Sequence, residues 1–244
     1  MLAVGAGTLF AFSAAQAQIT WGATGVFTTD SFLTLAGTSG QEVYGVSFVG
    51  GQSASGTTTT ANGYAFGGYN NGLYYTIANP QSNLGFYNNY LPSGSTGDSG
   101  LNTVLNYGAY GNTSNTGTLN NLVSGQTYNV LVILDDTRSG GGSQNQGTMA
   151  YATDGVNNSA NQAFSFQNAS PNIGGYILGT FTASGTSQAM SIVGQDLSGN
   201  YNNFQANAIL VTAVPEPGVF ALLPLGGGML MLVALRRKNS QVKA

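Results

Sequence analysis

The sequence contains no cysteine and no histidine. These two absences remove much chemistry at once. No disulfide can staple the fold, no Cys/His zinc site can form, and neither a Ser-His-Asp triad nor a Cys-His nucleophile is available. Charge is also scarce, at 5% of residues against an ordinary ~25%. Five basic residues face eight acids, and Arg236, Arg237, Lys238 and Lys243 sit at the very end of the chain, which leaves Arg138 alone against all the acids. Without a basic patch to displace counterions from phosphate, nucleic acid is not an expected partner.

Glycine stands in the place of charge, with 37 residues in 244, about twice its ordinary share. A chain rich in Gly, Asn, Ser and Thr is either disordered or a β domain with many turns. Aromatics at 11% decide for the β domain, because disordered chains are depleted in them. Short apolar stretches bounded by turn residues predict strands at Ile19–Trp21, Val43–Val49, Tyr64–Phe66 and Gly72–Ile77. Further strands are expected at Thr148–Thr153, Ala163–Gln167, Tyr176–Ala183, Ala189–Val193 and Ala206–Val214. Gln52–Thr60 and Leu91–Gly100 read as loops, and Leu101–Asn106 as a short helical turn. The clearest hairpin is Gly117–Leu122, a turn at Val123-Ser124-Gly125-Gln126, then Thr127–Leu134. In that last strand Tyr128, Val130, Val132 and Leu134 point one way, Leu131 and Ile133 the other. A strand apolar on both faces belongs in the centre of a sandwich. The fold class expected is therefore all-β, an antiparallel sandwich over residues 18–213.

Both ends read as export segments. Leu2–Ala15 is a nearly unbroken apolar run ending in Ala15-Gln16-Ala17, an A-x-A cleavage signature that makes residues 1–17 a signal peptide. No Lys or Arg precedes the run, the one departure from the pattern. At the other end, Val214-Pro215-Glu216-Pro217-Gly218 leads into the uncharged segment Val219–Leu235 and then Arg236-Arg237-Lys238. That segment is at the short limit for a helix crossing ~30 Å of hydrocarbon. Pro224 and Gly226-Gly227-Gly228 would weaken it in water, but lipid offers the backbone no competing partner. The positive-inside rule keeps the basic cluster cytoplasmic and everything before the span outside.

Pro-Glu-Pro, a short glycine-interrupted span and a terminal Arg-rich cluster, in that order over 214–244, resemble the PEP-CTERM sorting signal of Gram-negative bacteria. The resemblance implies a single-pass inner-membrane precursor handled by a membrane enzyme, exosortase, and destined for the cell surface or the extracellular polysaccharide matrix. It makes Val214, Pro215, Glu216 and Pro217 a processing tag, and Arg236, Arg237 and Lys238 the cytoplasmic end of a temporary anchor. A second resemblance covers most of the region between. Trp21-Gly22, Val43–Gly50, Ala61–Phe66, Leu119–Tyr128, Asp135-Asp136-Thr137-Arg138, Gly179-Thr180-Phe181 and Asn207–Val211 look like the galactose-binding-like jelly-roll domains of exported proteins. It implies a jelly-roll-like sandwich that binds sugars through variable loops, with no binding residue transferable to a position here.

Candidate chemistry is thin. Asp135-Asp136-Thr137-Arg138 follows the most apolar strand, and Asp135, Asp136 and Arg138 are candidate ligand-binding residues gripping sugar hydroxyls, or else an Arg–carboxylate pair closing a strand end. Asp154-Gly155-Val156-Asn157-Asn158 and Asp196-Leu197-Ser198-Gly199-Asn200 offer hard oxygen ligands for a structural calcium, or ordinary Asp/Asn turns. Tyr64, Tyr69, Tyr74, Tyr75, Tyr87 and Tyr90 supply core packing or a sugar-stacking platform. The sequence thus points to a non-enzymatic exported surface or matrix protein with no cofactor, associated with polysaccharide. The alternative is a secreted carbohydrate-active enzyme using two carboxylates ~5–10 Å apart, a distance no sequence spacing fixes.

Overall fold

A computed structural model describes residues 17–48, 58–69, 73–77, 85–88, 96–111, 117–135, 148–164, 174–196, 201–202 and 204–216. Numbering strands in chain order, the strand apolar on both faces is β9 (Thr127–Leu134), and it lies inside a seven-stranded sheet. It is flanked by β12 (Gly174–Thr182) and β17 (Ala208–Ala213), both antiparallel to it. Beyond β12 lies β1 (Thr20–Phe27) at one edge. Beyond β17 come β2 (Glu42–Ser47), β4 (Tyr64–Gly68) and β3 (Thr58–Ala61). Only the β2–β4 pairing in this sheet is parallel.

The shorter strands form three further antiparallel sheets. One contains β11 (Gln162–Phe164), β10 (Thr148–Thr153), β14 (Ser191–Asp196) and β15 (Tyr201–Asn202). Another contains β13 (Gln188–Ala189), β8 (Gly117–Leu119) and β5 (Tyr75–Ile77). The third contains β16 (Phe204–Ala206), β7 (Tyr107–Gly111) and β6 (Gly85–Asn88). The helical content described is one short α-helix, α1 (Ser99–Leu105), and the 3-10 helices Asp30–Ala36 and Ser39–Gln41.

Alternation along β9 divides the interior into two cores. Tyr128, Val130, Val132 and Leu134 join Ile177, Phe181, Ile209 and Val211 against residues of the smaller sheets, among them Tyr75, Leu119, Ala150 and Ile192, and against Met190 between β13 and β14. Leu131 and Ile133 face the other way with Leu210, under Phe32 and Leu33 of the 3-10 helix and Leu101, Val104 and Leu105 of α1. Each fully buried Leu, Ile or Val removes enough apolar surface to contribute roughly 2 kcal/mol. The sandwich and its central strand are as the sequence predicts, and the second face is covered by short helices.

Two local expectations are overturned. The strands expected as a hairpin about Val123–Gln126 do not pair: β8 and β9 lie in different sheets. β8 is bonded on both edges, to β13 and β5, as β9 is to β12 and β17, so neither has an edge left for the other. The turn itself exists, with Gly125 at φ 86°, and its partner is Ala183, through Gly125 N–H to Ala183 O (2.7 Å) and Ala183 N–H to Gln126 O (2.9 Å). It carries the chain from one sheet to another. The second correction concerns the loops: Thr58–Ala61 is a strand, and α1 begins at Ser99, inside the stretch expected as a loop. Among the described residues no helix is long and apolar enough to cross a membrane. Val219–Leu235, Arg236, Arg237 and Lys238 lie outside the described residues, as do residues 1–16 of the segment 1–17 expected as a signal peptide.

Candidate functional site

Four strands of the large sheet share a register row, Thr20–Thr180–Asn129–Thr212. The chain therefore enters β1 and leaves β17 at the same end of the sheet, three strand spacings or about 14 Å apart. On the leaving side the hydrogen bonding closes on Val214. Its N–H donates to Thr127 O (2.8 Å) and its carbonyl accepts from Gln126 Nε2 (2.7 Å). Pro215, which has no N–H to give, and Glu216 follow in exposed positions. Pro217 lies outside the described residues. The chain divides into two compact units at this point, Met1–Val214 and Pro215–Ala244.

On the entering side Ile19 is fully buried in the first core, and its N–H donates to Asp154 Oδ2 (2.6 Å). The other carboxylate oxygen accepts from Val156 N (2.8 Å) and Asn157 N (2.6 Å). Trp21 Nε1 donates to Asn157 O (3.0 Å), completing a latch between the Asp154–Asn157 turn and the start of β1. Burial alone would raise the Asp154 pKa. The N–H groups of Asn157, Ile19 and Val156 outweigh it and hold the carboxyl below its ordinary value. A carboxylate ringed by amide donors is stabilised as an anion by positive dipoles, the reverse of what a cation needs from its surroundings. Asp154 is thus a turn and latch residue.

Between these two junctions lies an open groove of about 550 Å³, lined by Ala17, Gln18, Thr20, Thr127, Thr180, Thr182 and Phe181, the last buried as part of the first core. Thr20 and Thr182 are exposed, while Thr127 and Thr180 are half-buried. Their hydroxyls are ordered by side-chain pairs: Thr127 Oγ1 with Thr182 Oγ1 (2.9 Å), and Thr180 Oγ1 donating to Asn129 Oδ1 (2.8 Å). Asn129 Nδ2 in turn donates to Ala36 O (2.9 Å), at the end of the 3-10 helix.

The residues singled out from sequence are scattered. Asp135 directly follows β9 and is buried at 3% exposure, with its N–H donated to Asn207 Oδ1 (2.5 Å). Asp136 and Arg138 lie outside the described residues, as do Leu197–Asn200. Tyr64, Tyr69 and Tyr75 are core residues, and Tyr74 is half-buried, stacked on Tyr44 at 4.8 Å. Burial pushes the Tyr44 and Tyr75 phenols well above their ordinary range, so both are neutral packing groups at any physiological pH. Among the described residues no group of three or more acids is placed to hold a metal ion. Sequence reasoning missed the threonine row, although Thr180-Phe181-Thr182 has the alternation that puts two hydroxyls on one face. The chain matches no protein-family model and no curated protein.

Proposed function

We propose that this is an exported, non-enzymatic protein of the cell surface or extracellular matrix, whose jelly-roll-like sandwich is delivered by a cleaved leader and sorted through its C-terminal segment. The observation that carries the reading is where the hydrogen bonding of β17 ends among the described residues. Among the described residues the last hydrogen bonds of the sandwich close on Val214, and the Pro-Glu-Pro run begins at the next residue. Two prolines with fixed φ make an extended backbone that an exosortase-like enzyme can grip. Cutting there costs the sandwich none of its hydrogen bonds among the described residues. The apolar span Val219–Leu235 is the temporary anchor, and Arg236, Arg237 and Lys238 hold its far end in the cytoplasm until release. Polysaccharide is the surrounding into which the released domain passes.

The reading is tested by replacing Pro215, Glu216 and Pro217 together with alanine. Hydrophobicity of the span is untouched, so insertion persists while processing stops. The variant is expected at full length in the inner-membrane fraction of its host. Release at the wild-type rate would remove the Pro-Glu-Pro run from the account.

A further inference from the structure

At the entry to β1 the chain is held from Ile19 onward. Ile19 is fully buried and its N–H is taken by Asp154, whereas Gln18 is exposed at the open groove. The Gln18 side chain makes no hydrogen bond among the described residues. Removal of residues 1–17 puts a free α-amine on Gln18. No lysine lies between Gln18 and Pro217, since Lys238 and Lys243 belong to the terminal segment. In a chain processed at both ends that α-amine is therefore the one primary amine.

We propose that Gln18 closes on itself to a pyroglutamyl ring, which rests on the leader cleavage proposed for this chain and makes its new end a modification site. The α-nitrogen lone pair attacks the side-chain Cδ. A C–N bond forms, the Cδ–Nε2 bond breaks, and ammonia leaves with the proton that the α-nitrogen gives up. Nothing is oxidised or reduced, and no co-reactant is consumed. Both reacting groups belong to one exposed residue, so neither has to leave a partner and their encounter is intramolecular. Ile19 stays pinned by Asp154, so the ring forms without disturbing the latch. The reaction uses the neutral amine, whose ordinary pKa of ~7.7–8.0 leaves a usable fraction at pH 7. The Asp154 carboxylate, one residue away, favours the ammonium and slows the closure without preventing it. The product is a neutral lactam at the mouth of the groove. It leaves no amine for an aminopeptidase to grip or for an aldehyde to condense with.

The test uses wild-type protein recovered from the surface or medium of its host and cut with chymotrypsin, which releases Gln18-Ile19-Thr20-Trp21 as the first peptide. The expected peptide is lighter than its linear form by one ammonia and does not react with an amine-selective label. Pyroglutamyl peptidase should then expose one reactive amine, on Ile19. Gln18→Ala cannot cyclise and should leave one labelled α-amine per chain, at an unchanged melting temperature because no side-chain hydrogen bond is lost. A first peptide that begins at Gln18 with a free amine, still free after the protein is incubated at pH 8, would overturn the proposal and leave the leader cleavage standing. A chain that begins at any other residue would overturn both. A ring at Gln18 on a chain still labelled at Lys238 and Lys243 would sustain the ring and contradict the C-terminal cut, so the two readings fail independently.

Discussion

Asp154 and Glu42 both accept main-chain N–H groups, yet their surroundings push them in opposite directions. For Glu42 burial is the larger effect and raises its pKa, despite the N–H groups of Ala65 (2.8 Å) and Gly45. For Asp154 three N–H groups prevail over burial and lower it. The contribution of Asp154 to stability is therefore present above the ordinary carboxylate value near ~4 and is lost as pH falls through its lower folded-state pKa. Glu42 contributes below its ordinary value and loses that contribution as pH rises through its raised one. Asp154→Asn should lower stability at pH 7 by about 1.5–3 kcal/mol, the range for hydrogen bonds to a charged group, and flatten the acid limb. Glu42→Gln, which keeps an oxygen for Ala65, should raise the pH 7 melting temperature and leave that at pH 3 unchanged. Thermal melts of the two variants from pH 3 to 8 check both; an Asp154→Asn melt equal to wild type at pH 7 would contradict the latch. The Asp-Gly-x-Asn turn was legible from residue types alone. Its bond to Ile19 was not, since 135 positions separate the partners and no local pattern encodes such a contact.

At the scale of elements, legibility followed the reach of the signal. β9 was readable as central because its apolar residues occupy both faces, a property of eight consecutive positions. Its wrong partner came from proximity along the chain. Val123 N–H bonds the Tyr128 hydroxyl (2.8 Å) and the turn bonds Ala183, so a hairpin-like turn serves a crossover. A genuine hairpin went unread at Ala61-Asn62-Gly63-Tyr64, where β3 and β4 pair about Asn62 (φ 47°) and Gly63 (φ 82°). Asn-Gly with both residues at positive φ is the favoured two-residue hairpin connection, and the polar Thr58-Thr59-Thr60 run before it concealed the strand. That hairpin is coupled to α1. Asp98 caps the helix through Oδ1 to Leu101 N (2.7 Å), and its Oδ2 accepts from Asn62 N (3.2 Å). Asp98→Ala removes both bonds and should cost about 1–2 kcal/mol, measured by denaturant midpoint at constant slope. A change of a few tenths or less would mean that the helix is held by Leu101, Val104 and Leu105 alone.

For the whole molecule, fold class was legible because Gly, Asn, Ser and Thr in place of charge, joined to frequent aromatics, leave little besides a turn-rich β sandwich. The two cores and their short-helix cover were not, because Asp30–Ala36 is too short to show a helical period. The groove was illegible for a related reason: Thr20, Thr127, Thr180 and Thr182 come from three distant strands and meet only through the register of the sheet. That register also brings the entry to β1 and the exit from β17 to one end, so both junctions where processing is proposed flank the same polar surface. The central claim is that the Pro-Glu-Pro run marks where the mature chain is cut. The measurement that tests it most directly is the intact mass of the wild-type protein recovered from the surface or medium of its own host. The account predicts a chain ending near Pro217, without Val219–Leu235 and without Arg236-Arg237-Lys238. Surface protein whose mass still includes Ala244 would contradict it.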